Sequence, residues 1–248
     1  FIVYANPLIS VLPRFFIEPF DGETACLAGE DAAHISRSLR LRPGEAVTLC
    51  DGAGTDYDGE LLAVGETVTV KILARRPNES EPRLRVTLYQ AVPKGDKLET
   101  IIQKAVELGA AAIVPMLTER CVARPDGKAM AKKLPRYQKI ALEAAKQCGR
   151  GIVPKVLPMV TLKEAAASLA GKSLLLYEGG GQRLCELVNG EEEALNLFVG
   201  SEGGFSPEEV GILRQAGARP ATLGKRILRC ETAPLCGLSV IFALAGDI

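Results

Sequence analysis

Two glycine-containing stretches in the last quarter of the chain hold the residue types that could do chemistry. The first runs Phe198-Val199-Gly200-Ser201-Glu202-Gly203-Gly204-Phe205-Ser206-Pro207-Glu208-Glu209. The second runs Leu223-Gly224-Lys225-Arg226-Ile227-Leu228-Arg229-Cys230-Glu231-Thr232-Ala233-Pro234. In each, a short apolar run stops at glycine and a helix start follows. Backbone N–H groups at a strand, glycine loop and helix junction can hold a small ligand. Two such loops so close together point to one shared site, although a pair of ordinary tight turns has the same spacing. From Gly190 to Val210 there are six acidic residues and no Lys or Arg, and Glu202 lies inside the loop. Carboxylates there would repel a polyphosphate but suit ribose hydroxyls as hydrogen-bond acceptors. The expected ligand contains a nucleoside and carries little negative charge.

These loops need strands before them and helices after them. Ser206 can cap a helix with Pro207 at its first position and Glu209 closing a capping box. Val210, Leu213 and Ala216 follow at helical spacing, and Gly217 supplies the stop. From Pro234 to Ala245 the chain is almost wholly apolar. The charge-free run Thr232–Gly246 is fifteen residues long, short for a membrane span, and reads as a buried helix or a subunit interface.

Upstream, residues 84–248 alternate strands and helices, the pattern of an α/β domain. Leu84–Val92, Ile113–Leu117 and Leu174–Tyr177 read as strands. A helix opens on an Asp96/Glu99 capping box, presents Leu98, Ile101, Ile102 and Ala105 on one face, and ends at Gly109. A longer helix is expected over Ala129–Cys148 and another after Thr161. Before a polar linker at 77–83, residues 14–76 read as a compact β-barrel-like module. Its strands are Arg14–Ile17, Ala46–Leu49, Tyr57–Leu62 and Val68–Leu73, with one helix over Asp31–Leu39 and turn signals at Asp51-Gly52 and Gly54.

The 248 residues carry 30 basic and 30 acidic side chains, so any nucleic-acid binding must come from local patches. Two exist. Arg37, Arg40 and Arg42 fall within six positions, fitting either a solvated turn or a phosphate-contacting edge. Arg120 to Arg150 holds nine basic residues against Asp126 and Glu143, among them Arg120, Lys132, Lys133, Arg136 and Arg150. A solvated amphipathic helix explains part of that surplus; an RNA backbone contact explains the rest. Seven scattered cysteines without a Cys-x-x-Cys pair and a single histidine, His34, argue against zinc and fit a reducing cytosol. Gly171-Lys172-Ser173 resembles the end of a phosphate loop, but Ala166 stands where that signature needs glycine, and no Gly-x-Gly-x-x-Gly occurs. Residues 1–13 lack a basic leader and are too short to span a bilayer. The chain opens at Phe1 instead of Met, so upstream sequence is expected to be missing or replaced.

Phe198-Val199-Gly200-x-Glu202-Gly203-Gly204-Phe205-Ser206, followed by Leu223-Gly224-x-Arg226-Ile227-Leu228-Arg229-x-Glu231-Thr232-Ala233, resembles the RsmE family. The likeness extends to Lys104-Ala105-x-Glu107-Leu108-Gly109, to Pro115 with Thr118-Glu119-Arg120, to Glu143-Ala144-Ala145-x-Gln147-x-x-Arg150, and to the His34–Gly44 stretch. It departs at Ser201, where the family usually has proline, a change expected to loosen the loop. The family methylates N3 of a uridine in 16S small-subunit ribosomal RNA. The resemblance implies a SPOUT-type, trefoil-knotted α/β methyltransferase domain preceded by a small PUA-like β-barrel RNA-binding domain. It implies S-adenosyl-L-methionine as cofactor, no metal, a cytoplasmic homodimer and no membrane. Ribosomal RNA or the small ribosomal subunit would be the partner. Cofactor contacts are expected at Val199, Gly200, Glu202 and Gly203, and at Leu223, Gly224, Ile227, Leu228 and Arg229. The family places a third contacting loop beside Gly179–Gly181, which adds Leu176 and Tyr177.

For such a transfer the protein must align donor and acceptor and deal with the uracil N3 proton. Arg229 and Glu231 are the candidates for stabilising the uracil anion and taking the proton, because they sit on the loop entering the final helix. A structural ion pair between them would fit the sequence equally well. A non-catalytic RNA-binding or ribosome-assembly factor, or a SPOUT enzyme acting elsewhere on RNA, remains the alternative.

Overall fold

The computed structural model describes residues 12–248, so most of the apolar opening run 1–13 lies outside the described residues. The chain forms two units: Phe1–Glu81 with Lys146–Val153, and Pro82–Ala145 with Pro154–Ile248.

The first unit contains β1 (Arg14–Phe16), β2 (Thr24–Leu27), α1 (Gly29–Ala33), β3 (Ala46–Cys50), β4 (Thr55–Val64) and β5 (Val68–Pro77). They build a five-stranded sheet in the order β1-β3-β4-β5-β2. Phe15, Ile35, Val47, Leu49, Leu61, Val68 and Val70 form its buried core. The four expected strands are present. β2 was not expected, because only Thr24 in Thr24-Ala25-Cys26-Leu27 favours a strand by itself; pairing with β5 makes it one. The helix expected over Asp31–Leu39 begins two residues earlier and continues as a π-helical turn, His34–Leu39, closed by Arg40 at φ 54°. Asp51 Oδ1 accepts from the N–H groups of Ala53 and Thr55, at 2.8 and 2.9 Å, and fixes the β3–β4 turn. Asp56 is fully buried and holds the Arg14 guanidinium at 2.5 and 2.8 Å.

Residues 146–153 join this unit, so the second domain expected at 84–248 is interrupted there. The physical reason is Glu81. It pairs with Arg150 at 2.7 Å and accepts from the N–H groups of Gly151 and Ile152, each at 2.9 Å.

The second unit is a parallel sheet with helices between its strands. Its elements begin with β6 (Arg85–Ala91), α2 (Lys97–Glu107), β7 (Ala112–Leu117), α3 (Gly127–Cys148), β8 (Lys155–Val156), β9 (Val160–Thr161) and α4 (Leu162–Ala167). They continue with β10 (Lys172–Leu176), β11 (Gln182–Arg183), α5 (Leu184–Leu187), β12 (Ala194–Val199), α6 (Pro207–Gln215), β13 (Arg219–Thr222) and α7 (Ala233–Ala245). The sheet order is β11-β13-β10-β12-β6-β7-β8, with β9 also on β7. Its central strands are near-continuous apolar runs, as burial on both faces requires. Tyr89 and Phe198, paired across β6 and β12, stack with ring centroids 4.5 Å apart.

The Ser206/Glu209 capping box forms as expected. The Asp96/Glu99 box does not: Asp96 makes no side-chain cap. Glu99 is drawn away by the Arg136 guanidinium at 2.8 Å. α7 packs against α2, α5, β6 and β12, and Gly237 permits the approach. A Cβ there would meet Leu176 and Leu197 at 3.1 Å. One side of α7 (Pro234, Leu238, Ile241, Phe242) is buried, while Leu244 stays 38% exposed. The helix is therefore not covered on all sides within one chain. Among the described residues no helix is long and apolar enough to cross a membrane.

Candidate active site

β13, β10 and β12 are neighbours in the sheet and run parallel. The segments leaving their carboxyl ends are 223–232, 177–181 and 200–206, and open α/β sheets bind ligands at such ends. All three segments line one cavity of about 640 Å³, well within the size range of small-molecule sites.

The loop after β12 is held by its own backbone. Ser201 and Gly204 form an antiparallel bridge, and the Gly204 N–H donates to Ser201 O at 3.0 Å. Ser201 is buried, and its hydroxyl donates to Arg120 O at 3.4 Å, a bond proline could not make. The departure at Ser201 therefore leaves the loop tied. Arg120 braces the same loop, donating from its guanidinium to Gly203 O at 3.3 Å. A Cβ on Gly203 would lie 2.8 Å from Arg120 Cβ and 2.9 Å from Arg120 O. Below, Gln90 of β6 donates to Gly200 O at 3.2 Å.

The loop after β13 is different. Gly224 takes φ +114° with nothing near its missing Cβ, and the segment 224–227 is exposed. Its ties are local: Gly224 N–H to Thr222 Oγ1 at 3.2 Å, and Thr232 and Ala233 N–H to Arg229 O at 2.8 and 2.9 Å. Ile227 is 86% exposed.

Every residue expected to touch a cofactor lines this cavity. From β10 and β12 come Leu176, Tyr177, Val199, Gly200, Glu202 and Gly203. From the β13 loop come Leu223, Gly224, Ile227, Leu228 and Arg229. Glu178 joins them, its carboxylate against Gly204. Arg229 is exposed, and among the described residues its side chain has no hydrogen-bond or ion-pair partner.

Glu231 does not pair with Arg229. Its carboxylate meets Lys97 Nζ at 3.1 Å and accepts the Cys230 thiol at 3.2 Å. Lys97 also reaches Glu202 at 3.1 Å. Sequence reasoning missed Lys97, which lies a hundred or more positions from either loop; its place at the first position of α2 was the available signal. The thiol of Cys230, then the Glu231 backbone N–H and Lys97, hold the Glu231 carboxyl below its ordinary value. That makes Glu231 a weaker proton acceptor than a free carboxylate while leaving it ionised and tied to Lys97. Burial works to raise Glu202. Hydrogen bonds from its own N–H, from Lys97 and from the Lys94 N–H outweigh it, and the net shift is downward. Hydrogen bonds to Glu231 and then Glu202 raise Lys97, and burial pushes the Cys230 thiol up to about 12.

The basic residues expected on RNA separate into groups. Arg37, Arg40, Arg42, Lys132 and Lys133 are exposed, and among the described residues none of these side chains is paired. Arg136 is exposed but pairs with Glu99. Arg120 is spent partly on the glycine loop. Arg150 is 4% exposed and ion-paired to Glu81, so it is a structural residue and not an RNA contact. Among the described residues no cluster of His, Cys, Asp and Glu could hold a metal ion.

A parallel sheet with glycine loops gathered at its carboxyl end, preceded by a small β unit, defines the class: residues 79–242 match the RNA methyltransferase domain model and residues 27–73 the RNA methyltransferase PUA domain model. The chain is 33% identical to the ribosomal RNA small subunit methyltransferase E of Bacillus subtilis (strain 168), covering 93% of this chain and 96% of that one. It belongs to the ribosomal RNA small subunit methyltransferase E family. The Neisseria gonorrhoeae member, solved bound to S-adenosyl methionine, superposes with a TM-score of 0.86 at 34% identity, covering 94% of this chain and 98% of that one. A putative methyltransferase from Legionella pneumophila, in complex with the same cofactor, gives 0.85 at 32% identity, covering 94% and 97%.

Proposed function

We propose that this protein transfers a methyl group from S-adenosylmethionine to N3 of a uridine in 16S ribosomal RNA, acting as a cytoplasmic homodimer. The observation that carries this is the convergence of three loops, from three adjacent strands, on one cavity with an unpaired arginine at its wall. The residues present fit the cofactor. A Cβ on Gly200 would come 3.0 Å from Gly204 Cα, so the glycines keep a backbone-lined cradle open. Glu178 and Glu202 offer carboxylates to a ligand bearing a positive sulfonium.

When bound, the cofactor would supply an electrophilic methyl on a sulfonium. As the N3–methyl bond forms the carbon–sulfur bond would break, a neutral thioether would leave, and the N3 proton would pass to Glu231 or to solvent. Gly200, Glu202 and Gly203, with Leu223, Gly224, Ile227 and Leu228, would hold the donor, aided by Leu176, Tyr177 and Val199. Ile227 would contribute backbone more than side chain, given its exposure. Arg229 stays protonated and can donate two hydrogen bonds to a uracil oxygen, where charge gathers as N3 loses its proton. Arg37, Arg40 and Arg42 in a PUA-like barrel domain (14–76), and Lys132, Lys133 and Arg136 in a SPOUT-type knotted domain (84–248), would meet RNA phosphates. The half-exposed outer side of α7, with Leu244, would seat a second copy.

Incubating the protein with methyl-labelled cofactor and 16S RNA or small subunits, then mapping the methylated atom by nucleoside mass spectrometry, tests this. The expected product is 3-methyluridine. Ribose methylation would indicate a different SPOUT activity, and cofactor binding with no transfer to RNA would favour the RNA-binding factor.

A further inference from the structure

Lys97 opens α2, remote in sequence from both glycine loops, yet its ammonium lies 3.1 Å from Glu202 on one loop and 3.1 Å from Glu231 on the other. Glu202 is anchored again by the Lys94 N–H, at 3.2 and 3.3 Å. The Cys230 sulfur, 3.8 Å from Lys97, fills the space between. The β12 loop needs no such help, because its own bridge and Arg120 hold it. The β13 loop has only local turns of its own. We infer that Lys97 is a positioning residue: it clamps the β13 loop to the β12 loop and so sets the shape of the ligand cavity before anything binds. Glu231 is the β13 loop's handle on that clamp.

The arrangement answers an otherwise awkward point. Two carboxylates brought this close, one from each loop, would repel and spread the loops. One ammonium between them reverses the sign of both contacts and leaves a single surplus negative charge, which suits a cationic donor. The inference rests on the cofactor assignment proposed above, but the clamp can be measured without a cofactor.

Amide hydrogen exchange of the ligand-free protein, parent against Lys97→Met and Lys97→Arg, reads the clamp directly. Exchange over 223–232 should quicken in Lys97→Met and less so over 200–206, with Lys97→Arg near the parent because it can still bridge both carboxylates. The thermal midpoint should barely move, since partly exposed ion pairs contribute little; a loss by unfolding is thereby separated from a loss of position. Calorimetry with S-adenosylmethionine and its neutral demethylated product adds a second readout. Loss of position should weaken both ligands by the same factor, on the order of tenfold, within the usual span of couplings between sites. Unchanged exchange over 223–232 in Lys97→Met would overturn the clamp. So would tighter binding of the cationic donor alone, which would mean that Lys97 acts only through its charge. If Lys97→Met shows the exchange effect while the parent binds neither ligand, the clamp stands and the cofactor assignment falls.

Discussion

The two glycine loops look alike in sequence and are built on opposite principles. The β12 loop is stiffened from within: a backbone bridge closes it, Ser201 is buried in it, and Arg120 lies against Gly203. The β13 loop carries an open Gly224, an exposed 224–227 segment and only local turns. Its side-chain ties beyond itself run from Glu231 and Cys230 to Lys97. One loop is preorganised; the other is positioned. A transferase can use both, since a rigid cradle limits the cost of binding while a more open loop admits the second substrate.

The sharpest way to break the comparison is at Gly203. Valine there would drive a Cβ within 3 Å of Arg120 backbone and side chain, a clash the closed loop has no room to relieve. Gly203→Val should abolish measurable cofactor binding in calorimetry. Binding close to the parent's would mean that the β12 loop is not the rigid partner described here.

Arg229→Lys comes next. Lysine keeps the charge but loses the planar fork, so turnover should fall on the order of a hundredfold, as for other anion-stabilising donors. Cofactor affinity should stay near the parent's, because among the described residues Arg229 has no side-chain partner to release. Single-turnover methyl transfer at saturating cofactor checks this, and near-normal turnover would remove Arg229 from the chemistry.

Gly224 tests the other loop through conformation and not contact. Alanine at φ +114° meets no atom within 4 Å but is strained by about 1–3 kcal/mol. Each 1.4 kcal/mol is worth about tenfold. Gly224→Ala should weaken the cofactor by roughly ten- to a hundredfold and retain some activity, in contrast to Gly203→Val. Equal losses at both positions would erase the distinction between the loops.

How much of this was legible beforehand follows from where the information lies. The Ser206/Glu209 cap, the strands ending at Val199 and near Leu176, and the lining residues of the cavity are local patterns, and local patterns survive in sequence. The Asp96/Glu99 cap failed because Arg136, 37 residues away, competes for Glu99. Arg150 looked like one more cation in a basic run, and only Glu81 across the fold makes it structural. Lys97 showed only its place at the start of α2, because its partners are 105 and 134 positions off. Segment 146–153 joined the first unit for the same kind of reason, through contacts with Glu81 and Asp31. Hydrophobic periodicity says nothing about such pairings.

The smallest expected effect is a pH dependence confined to the β13 loop. The Glu202 and Glu231 carboxyls are held below their ordinary value of 4.5, and Lys97 is held above its ordinary 10.5. For the carboxylates, a folded value below the unfolded one means that their contribution is complete above the unfolded value and is lost as pH falls through the folded one. For Lys97 the sign reverses: its contribution is complete below its unfolded value and is lost as pH rises through the raised one. The clamp should therefore be intact between about pH 5 and pH 10 and fail outside that window. Hydrogen exchange, corrected for its intrinsic pH dependence, should show flat protection across the window in both loops. On acidification below pH 4.5, the 223–232 segment should lose protection before 200–206, because the β12 loop's backbone bridge does not titrate. Above the raised value of Lys97 the parent's 223–232 segment should again lose protection first, and in Lys97→Met that alkaline step should vanish, since the titrating ammonium is gone. Loss of protection in both loops at the same pH in the parent would show that they open together, and the distinction between a preorganised and a positioned loop would not hold.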